Sequence, residues 1–299
     1  VAPEVRRRVQ RTITRMGYRP HTAARALACG RPEVLDLVVI EDCAESFGSN
    51  PYYTRVVAGM LRALAGTDVQ ARLRLVAESA ADATLADIAT ATGLGALLVN
   101  VPAPLAEQFY LRCDRVVSLG RSAPDVPFID PENAVGAGSA VRHLYGCGRR
   151  RIAAVHGPRY NPSADSRRLG YLSAINEAGL IPVSVDGEFS RETGLLAAQQ
   201  LLATQPDIDA IFAACDLMAT GVLQALAESG RRVPDDVAVV GFDDSLLADC
   251  AIPPLTSVRQ PVEEIAAIAT QALLSQQVRR RWQRIMPTSL TIRRSTSCC

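Results

Sequence analysis

An α/β fold of two doubly wound parallel sheets in series is predicted for this chain, on three observations. Short apolar runs of buried-strand length recur along residues 34–242, separated by helical stretches rich in alanine and leucine. At 299 residues the chain is longer than one compact core needs and fits two. The run of strand–helix units is broken near residues 157–162, where one sheet would end and the next begin.

The elements follow in order. Residues 3–16 read as a helix: Val5, Val9, Ile13 and Met16 form a narrow apolar stripe, Pro3 suits the first turn and Gly17 the stop. Such a stripe needs a packing surface, either the body of the protein or partners outside this chain. Residues 21–28 read as a second helix of two turns, too short to hold in water unless docked. Gly30 and Pro32 separate it from the body. Strands are predicted at 34–40, 96–101, 116–119, 151–155, 209–213 and 237–242. Helices are predicted at 53–65, 82–92, 133–145, 164–178, 192–204 and 216–229. After Pro253-Pro254 come a helix over 262–277 and a strand-like piece at 289–293.

Composition removes several classes of function. With 48% hydrophobic and 21% charged residues, the chain is of the folded and not the disordered kind. No run approaches the length of a membrane-spanning helix, and the first residues have no apolar leader core, so the expected location is the cytoplasm. The net charge of +1 hides an asymmetry: residues 1–31 carry +7 and the rest −6. A basic arm on a mildly acidic body fits a polyanion partner for the arm, and equally a solvated helix face. Every basic residue is arginine, so an arginine count carries little weight alone.

The eight cysteines show neither metal nor disulfide spacing. Cys29, Cys43, Cys113, Cys147, Cys215 and Cys250 are scattered, and Cys298-Cys299 is a terminal pair. His21, His143 and His156 do not fall near them in ligand spacing. Reduced thiols, no metal and no cofactor are expected. Catalytic motifs are equally thin. Gly93-x-Gly95 precedes a strand, and Gly146-x-Gly148 lacks a third glycine. Neither a nucleophile elbow nor a phosphate loop occurs, and His156 has no nucleophile nearby, so no enzyme is expected.

Ligands of doubly wound sheets bind outside the carboxyl ends of the strands. Four polar loops fall there: Ser49-Asn50-Pro51-Tyr52-Tyr53, Asn161-Pro162-Ser163-Ala164-Asp165, Cys215-Asp216 and Asp243-Asp244. Together they point to a cleft between two domains that holds a small polar ligand. The plainer reading is that these side chains cap the following helices, Asp216 above all.

Several blocks then speak together: VAPEVRRRVQ with MGYRPHTAARAL at the start, Asn50-Pro51-Tyr52-Tyr53, GRRRI at 148–152, RRLGY at 167–171, VPDDVAVVGFDD at 233–244 and PPLTSVRQP at 253–261. This set resembles the lactose-repressor/galactose-repressor (LacI/GalR) family of transcriptional regulators over nearly the whole chain. The resemblance implies two doubly wound subdomains like those of periplasmic binding proteins, preceded by a helical headpiece remnant and a hinge helix. It implies a remnant of the helix-turn-helix at 1–19, hinge and linker at 20–32, and an effector-binding and dimerisation domain at 33–299. Within that domain the N-lobe would span about 33–157 and 261–288, the C-lobe about 158–260 and 289–299. The first residues resemble the third headpiece helix, so the helix that reads the major groove is expected to be missing and DNA binding by this chain to be weak.

The resemblance also assigns roles. Leu27 matches the leucine that hinge helices wedge into the minor groove, and Ala24 the small residue that lets it in. Arg19 and Arg25 would approach phosphates, and His21 stands at the cap position with Thr22 able to substitute. For the effector, Tyr52, Tyr53 and Phe189 match aromatic walls, while Asn161, Ser163 and Asp165 fall in the ligand-contacting loop. Asp165 stands where sugar-binding members often have arginine, and Cys215 replaces the asparagine of an Asn-Asp pair completed by Asp216. Arg167 matches a scaffold arginine, Asp243 the acid that clamps ligand polar groups, and Gln260 lies where the chain crosses between lobes. The expected protein is a homodimeric repressor controlled by a sugar or sugar derivative, with no membrane partner. A sugar transporter's solute-binding protein is the alternative. The basic arm and the absence of a leader core favour the regulator.

Overall fold

The structure, a computed structural model, describes residues 33–296 together with Val5, Arg8, Thr12, Arg15 and Met16. Those five are helical, the Thr12 hydroxyl donates to the Arg8 carbonyl at 3.0 Å, and Val5 and Met16 face solvent. The hinge assigned to 20–32 lies outside the described residues.

The first lobe runs β1 (Val34–Ile40), α1 (Ala44–Ser49), α2 (Pro51–Leu64), β2 (Gln70–Val76), α3 (Ala81–Ala91), β3 (Gly95–Val99), α4 (Ala103–Arg112), β4 (Val116–Leu119) and β5 (Phe128–Pro131). The second runs α5 (Asn133–Gly146), β6 (Ile152–His156), α6 (Pro162–Glu177), β7 (Val183–Asp186), α7 (Arg191–Thr204), β8 (Ala210–Ala213), α8 (Asp216–Glu228), β9 (Ala238–Asp243), α9 (Leu246–Cys250) and β10 (Thr256–Arg259). The chain then returns to the first lobe with α10 (Val262–Leu274) and β11 (Gln283–Met286), and to the second with β12 (Ser289–Thr291).

Each lobe holds one six-stranded sheet, ordered β11-β5-β4-β3-β1-β2 and β12-β10-β9-β8-β6-β7. All pairings are parallel except β12 against β10. Helices cover both faces, so the central strands are apolar on both sides: every residue of β3, β4, β6 and β8 is buried. Clusters around Leu35, Leu37, Leu97 and Val117 on one face, and Val38, Leu98 and Phe109 on the other, fill the first lobe. Clusters around Ile211, Met218 and Val239, and around Tyr171, Phe212 and Phe242, fill the second.

Edge strand β2 is inside out. Arg72 and Arg74 turn inward to the fully buried Asp36, at 2.6 and 3.6 Å, while Leu73 and Leu75 face solvent.

Two expectations are corrected. The sheets put the first crossover at residues 131–133, not near 157. β6 pairs with β7 and β8, and α5 buries Ala137, Ala140, Val141 and Leu144 against Ile152 and Tyr171, so 133–157 belongs to the second lobe. A helix–strand unit looks alike in either sheet, and only strand pairing assigns it. Cys147, expected as a thiol, is disulfide-bonded, and its partner lies outside the described residues. Its Sγ sits 3.6 Å from the Thr296 carbonyl, a proximity that a separation of 149 residues conceals in sequence. Cys43, Cys113, Cys215 and Cys250 are free thiols.

Candidate functional site

The carboxyl ends of β1, β3 and β4 face those of β6, β8 and β9 across the cleft, and two like-built helix starts aim side chains into it. At α2, the Asn50 side chain accepts from the Tyr52 amide at 3.0 Å and Pro51 occupies the first turn. At α6, Asn161 accepts from the Ser163 and Ala164 amides at 2.9 and 3.2 Å, followed by Pro162. These caps fix the directions of Tyr52 and Tyr53 from one lobe and of Ser163 and Arg167 from the other.

The buried polar groups form two connected sets. Tyr53 donates to Glu41 at 3.1 Å and accepts from Asn100 Nδ2 at 2.7 Å. Burial and the Glu41 carboxylate push its hydroxyl far up, so it stays a neutral donor. Asn161 Nδ2 in turn donates to Asn100 Oδ1 at 3.3 Å, a bond from lobe to lobe. In the second set, Arg167 donates to Asn133 Oδ1 at 2.8 Å and to the Ala214 carbonyl at 2.6 Å. Its guanidinium lies 3.8 Å from the centre of the Phe242 ring and 3.7 Å from Asp243 Oδ1. Gln260 donates to Asp243. Burial pushes the Asp243 carboxyl up, while the Arg167 and Arg55 cations oppose that rise. Burial also pushes Asp130, beneath Asn133, up to about 6.

Phe189 reaches the cleft because residue 157 is glycine: a Cβ there would stand 2.4 Å from the ring. Arg55 on α2 ties the lobes from the first side. It donates to the Asp243 carbonyl at 2.7 Å, to the Gln260 carbonyl at 3.2 Å, and to Glu263 at 2.7 and 2.9 Å.

A pocket lies at the centre of the cleft. Tyr52, Tyr53, Asn161, Ser163, Arg167, Phe189, Cys215, Asp243 and Gln260 of the predicted set line it. Two predicted residues lie elsewhere. Asp165 is exposed on the first turn of α6. Asp216 is fully buried, accepting from the Ser245 amide and hydroxyl at 2.7 and 2.9 Å and from Ser257 at 2.6 Å. It stitches the loop after β9 and strand β10 to the start of α8. Asn100, Ser118, Arg121 and Tyr160 also line the pocket and were not predicted. Asn100 and Ser118 sit at the carboxyl ends of β3 and β4, where the strand-end rule finds them; Tyr160 carries no such signal. The residues assigned to DNA, Arg19, His21, Thr22, Ala24, Arg25 and Leu27, lie outside the described residues. Among the described residues no cluster of three or more His, Cys, Asp or Glu is placed to hold a metal ion, and no helix is long and apolar enough to cross a membrane.

Two six-stranded sheets, parallel but for the edge strand β12, joined by three crossovers and with a polar and aromatic pocket between them, define a ligand-binding body of the periplasmic-binding-protein type. Residues 141–296 match the family described as periplasmic binding protein-like domain. The regulator CelR of Thermobifida fusca is 37% identical over 88% of this chain and 80% of its own length. The repressor CytR of Escherichia coli K12 is 27% identical over 99% of this chain and 89% of its own. A solved CelR–cellobiose complex superposes with a TM-score of 0.81 at 32% identity, covering 99% of this chain and 91% of that one. The lac repressor dimer bound to operator and the anti-inducer ONPF superposes at 0.82, with 23% identity and the same coverage, and shows the fold. The chain belongs to the LacI/GalR family of transcriptional regulators. Proteins of that family are regulators and not enzymes, and membership replaces the solute-binding alternative.

Proposed function

We propose that this regulator is a homodimeric, cytoplasmic repressor whose hold on DNA is set by a sugar effector of the cellobiose kind bound between its lobes. The carrying observation is the composition of the central pocket. Tyr52 and Phe189, one from each lobe, flank Asn161, Arg167, Asp243 and Gln260. Aromatic faces suit the apolar face of a pyranose, and the amides, carboxylate and guanidinium suit its hydroxyls. The similarity to CelR, solved with cellobiose, supports the same ligand class.

The mechanism is a shift in lobe angle. A ligand that contacts both lobes favours one angle over the other, and its effect is bounded by that difference in affinity. The angle sets the spacing of the two segments leading to DNA. On them Leu27 would wedge into the minor groove with Ala24 giving it room, Arg19 and Arg25 would meet the phosphates, and His21 or Thr22 would cap the hinge helix. The outward leucines of β2 supply an apolar contact for a second protomer.

Calorimetric titration with cellobiose tests this reading. Saturable binding is expected, with a rise in Tm: a hundredfold excess over Kd stabilises by about 2.7 kcal/mol. Asp243→Asn is expected to abolish both signals. Absence of binding and of any Tm shift with cellobiose, other sugars and nucleobases would remove the effector from the account.

A further inference from the structure

The parallel strands of the first lobe point their carboxyl ends at the cleft, so their amino ends form the pole of that lobe farthest from it. Residues 1–31, which carry +7, join the body at this pole, ahead of β1. A second basic segment reaches the same pole from late in the chain. Residues 279–284 read RRRWQR, four arginines and no acid, in a body whose balance is −6. The Trp282 carbonyl accepts from the Phe128 amide at 2.9 Å and the Arg281 amide donates to the Asp125 carbonyl at 3.4 Å, which sets the segment beside the start of β5. In the sheet order, β11 stands four strands from β1. At about 4.8 Å a strand, the arginines lie roughly 19 Å from the start of β1, the length of about five to six base pairs at roughly 3.4 Å each.

The segment is held so as to present its charge. Val278 and Trp282 pack on the core of the lobe and pin it on both sides of Arg279–Arg281. Arg281 has a φ of 61°, left-handed backbone that few side chains adopt, with its guanidinium on Asp125 at 2.7 Å. Arg280 shares that carboxylate, so one acid answers two cations. Arg279 donates to the carbonyls of Gln276 and Val278, and Arg284 makes no ion pair among the described residues. All four arginines are exposed. Glu33 and Asp68, acids of the same pole, precede β1 and β2 at the opposite side of the sheet. Charge on an edge strand deters pairing with another sheet, which accounts for Arg284 on β11. Arg279–Arg281 precede that strand, where there is no edge to guard.

We infer that this arginine segment is a second DNA-contacting site: it grips phosphates of the duplex beside the stretch met by residues 1–31, adding affinity without reading bases. Guanidinium forks match phosphate oxygens, and each phosphate neutralised releases a counterion. The inference rests on the reading of the protein as a DNA-bound repressor and adds a surface of the first lobe to its grip.

The test is fluorescence anisotropy of this chain on a random-sequence duplex of about 40 base pairs, from about 50 to 200 mM salt. Arg279→Gln with Arg280→Gln and Arg284→Gln leaves Arg281 on Asp125. This triple variant is expected to make the slope of log K against log salt shallower by about 2–3, at about 0.9 per phosphate contact. At the lowest salt its affinity is expected to fall at least about tenfold, with the Tm and the Tm rise on adding cellobiose unchanged. Arg142→Gln with Arg150→Gln and Arg151→Gln removes the same charge from exposed positions of the second lobe and is expected to leave the slope as it is. An unchanged slope in the first variant, or an equal fall in both, overturns the site and leaves the repressor reading standing. Absence of duplex binding by the wild type at the lowest salt overturns the site together with this chain's hold on DNA.

Discussion

His156 closes β6 inside the second lobe, 1% exposed, edge-on to Tyr171 at 5.3 Å, with no protein partner for either ring nitrogen. Burial, reinforced by Arg168, lowers its pKa from 6.5 to about 4. In the unfolded chain it titrates near 6.5, so between pH 6.5 and 4 the unfolded state binds a proton that the native state refuses. Its contribution to stability is complete above pH 6.5, is lost as the pH falls through about 4, and amounts to about 3 kcal/mol. Asp130, raised to about 6, runs the other way: its stabilisation is present below 3.8 and is lost as the pH rises through 6. Melting the wild type and His156→Leu across pH 4–7.5 separates the two, since both proteins carry Asp130. The variant is expected to gain on the wild type steadily below pH 6.5. Single residues of the site were legible where a polar loop follows an apolar strand, as with Tyr52, Asn161 and Asp243. The rule finds the loop and not the direction of the side chain. Asp216 sits in such a loop but turns inward, because Gly241 leaves space for its carboxylate where a Cβ would stand 2.4 Å from Oδ1.

At the scale of elements, helix α2 is the strut between pocket and crossover. Arg55 on it reaches two carbonyls at the lobe boundary and Glu263 on α10. Gly59 lets the two helices close, since a Cβ there would meet the Glu263 carbonyl at 2.2 Å. Arg55→Met takes the arginine donor from a partly buried carboxylate and from the Asp243 carbonyl, while the Gln260 carbonyl keeps the Val262 amide at 2.9 Å. A loss of about 1–3 kcal/mol is expected, read as a fall in Tm of several degrees. The Tm rise on adding cellobiose is expected to shrink with it, because the arginine holds the backbone of both Asp243 and Gln260. The central strands were legible because burial on both faces makes them continuous apolar runs. β2 was not: QARLRLV alternates with its leucines outward, the reverse of the usual sense, because Asp36 draws the arginines in. β5, β7, β10 and β11 are four residues each and carry polar side chains, too little pattern to stand out. The lobe boundary was misplaced for the same reason, since pairing between distant strands leaves no local trace.

For the whole molecule, the leucines of β2 bear on assembly. Leu73 and Leu75 are 47% and 37% exposed on an edge strand, beside arginines that turn inward to Asp36. Leu73→Asp with Leu75→Asp is expected to convert a dimer to a monomer in light scattering without lowering the Tm of the isolated protomer, since neither side chain enters a core. The bond from Asn161 to Asn100 and the reach of Arg55 from α2 to the second lobe join the two lobes directly. A sugar ring that seats between the lobes would have to part or bypass these contacts. Where it must part them, the lobes first breathe apart, and capture waits on that opening. In rapid mixing the observed rate is then expected to level off as the sugar concentration climbs, with a ceiling that reports how often the jaws part. The speed with which such a sensor notices its metabolite would be written into two amides and one guanidinium, far from the DNA it controls.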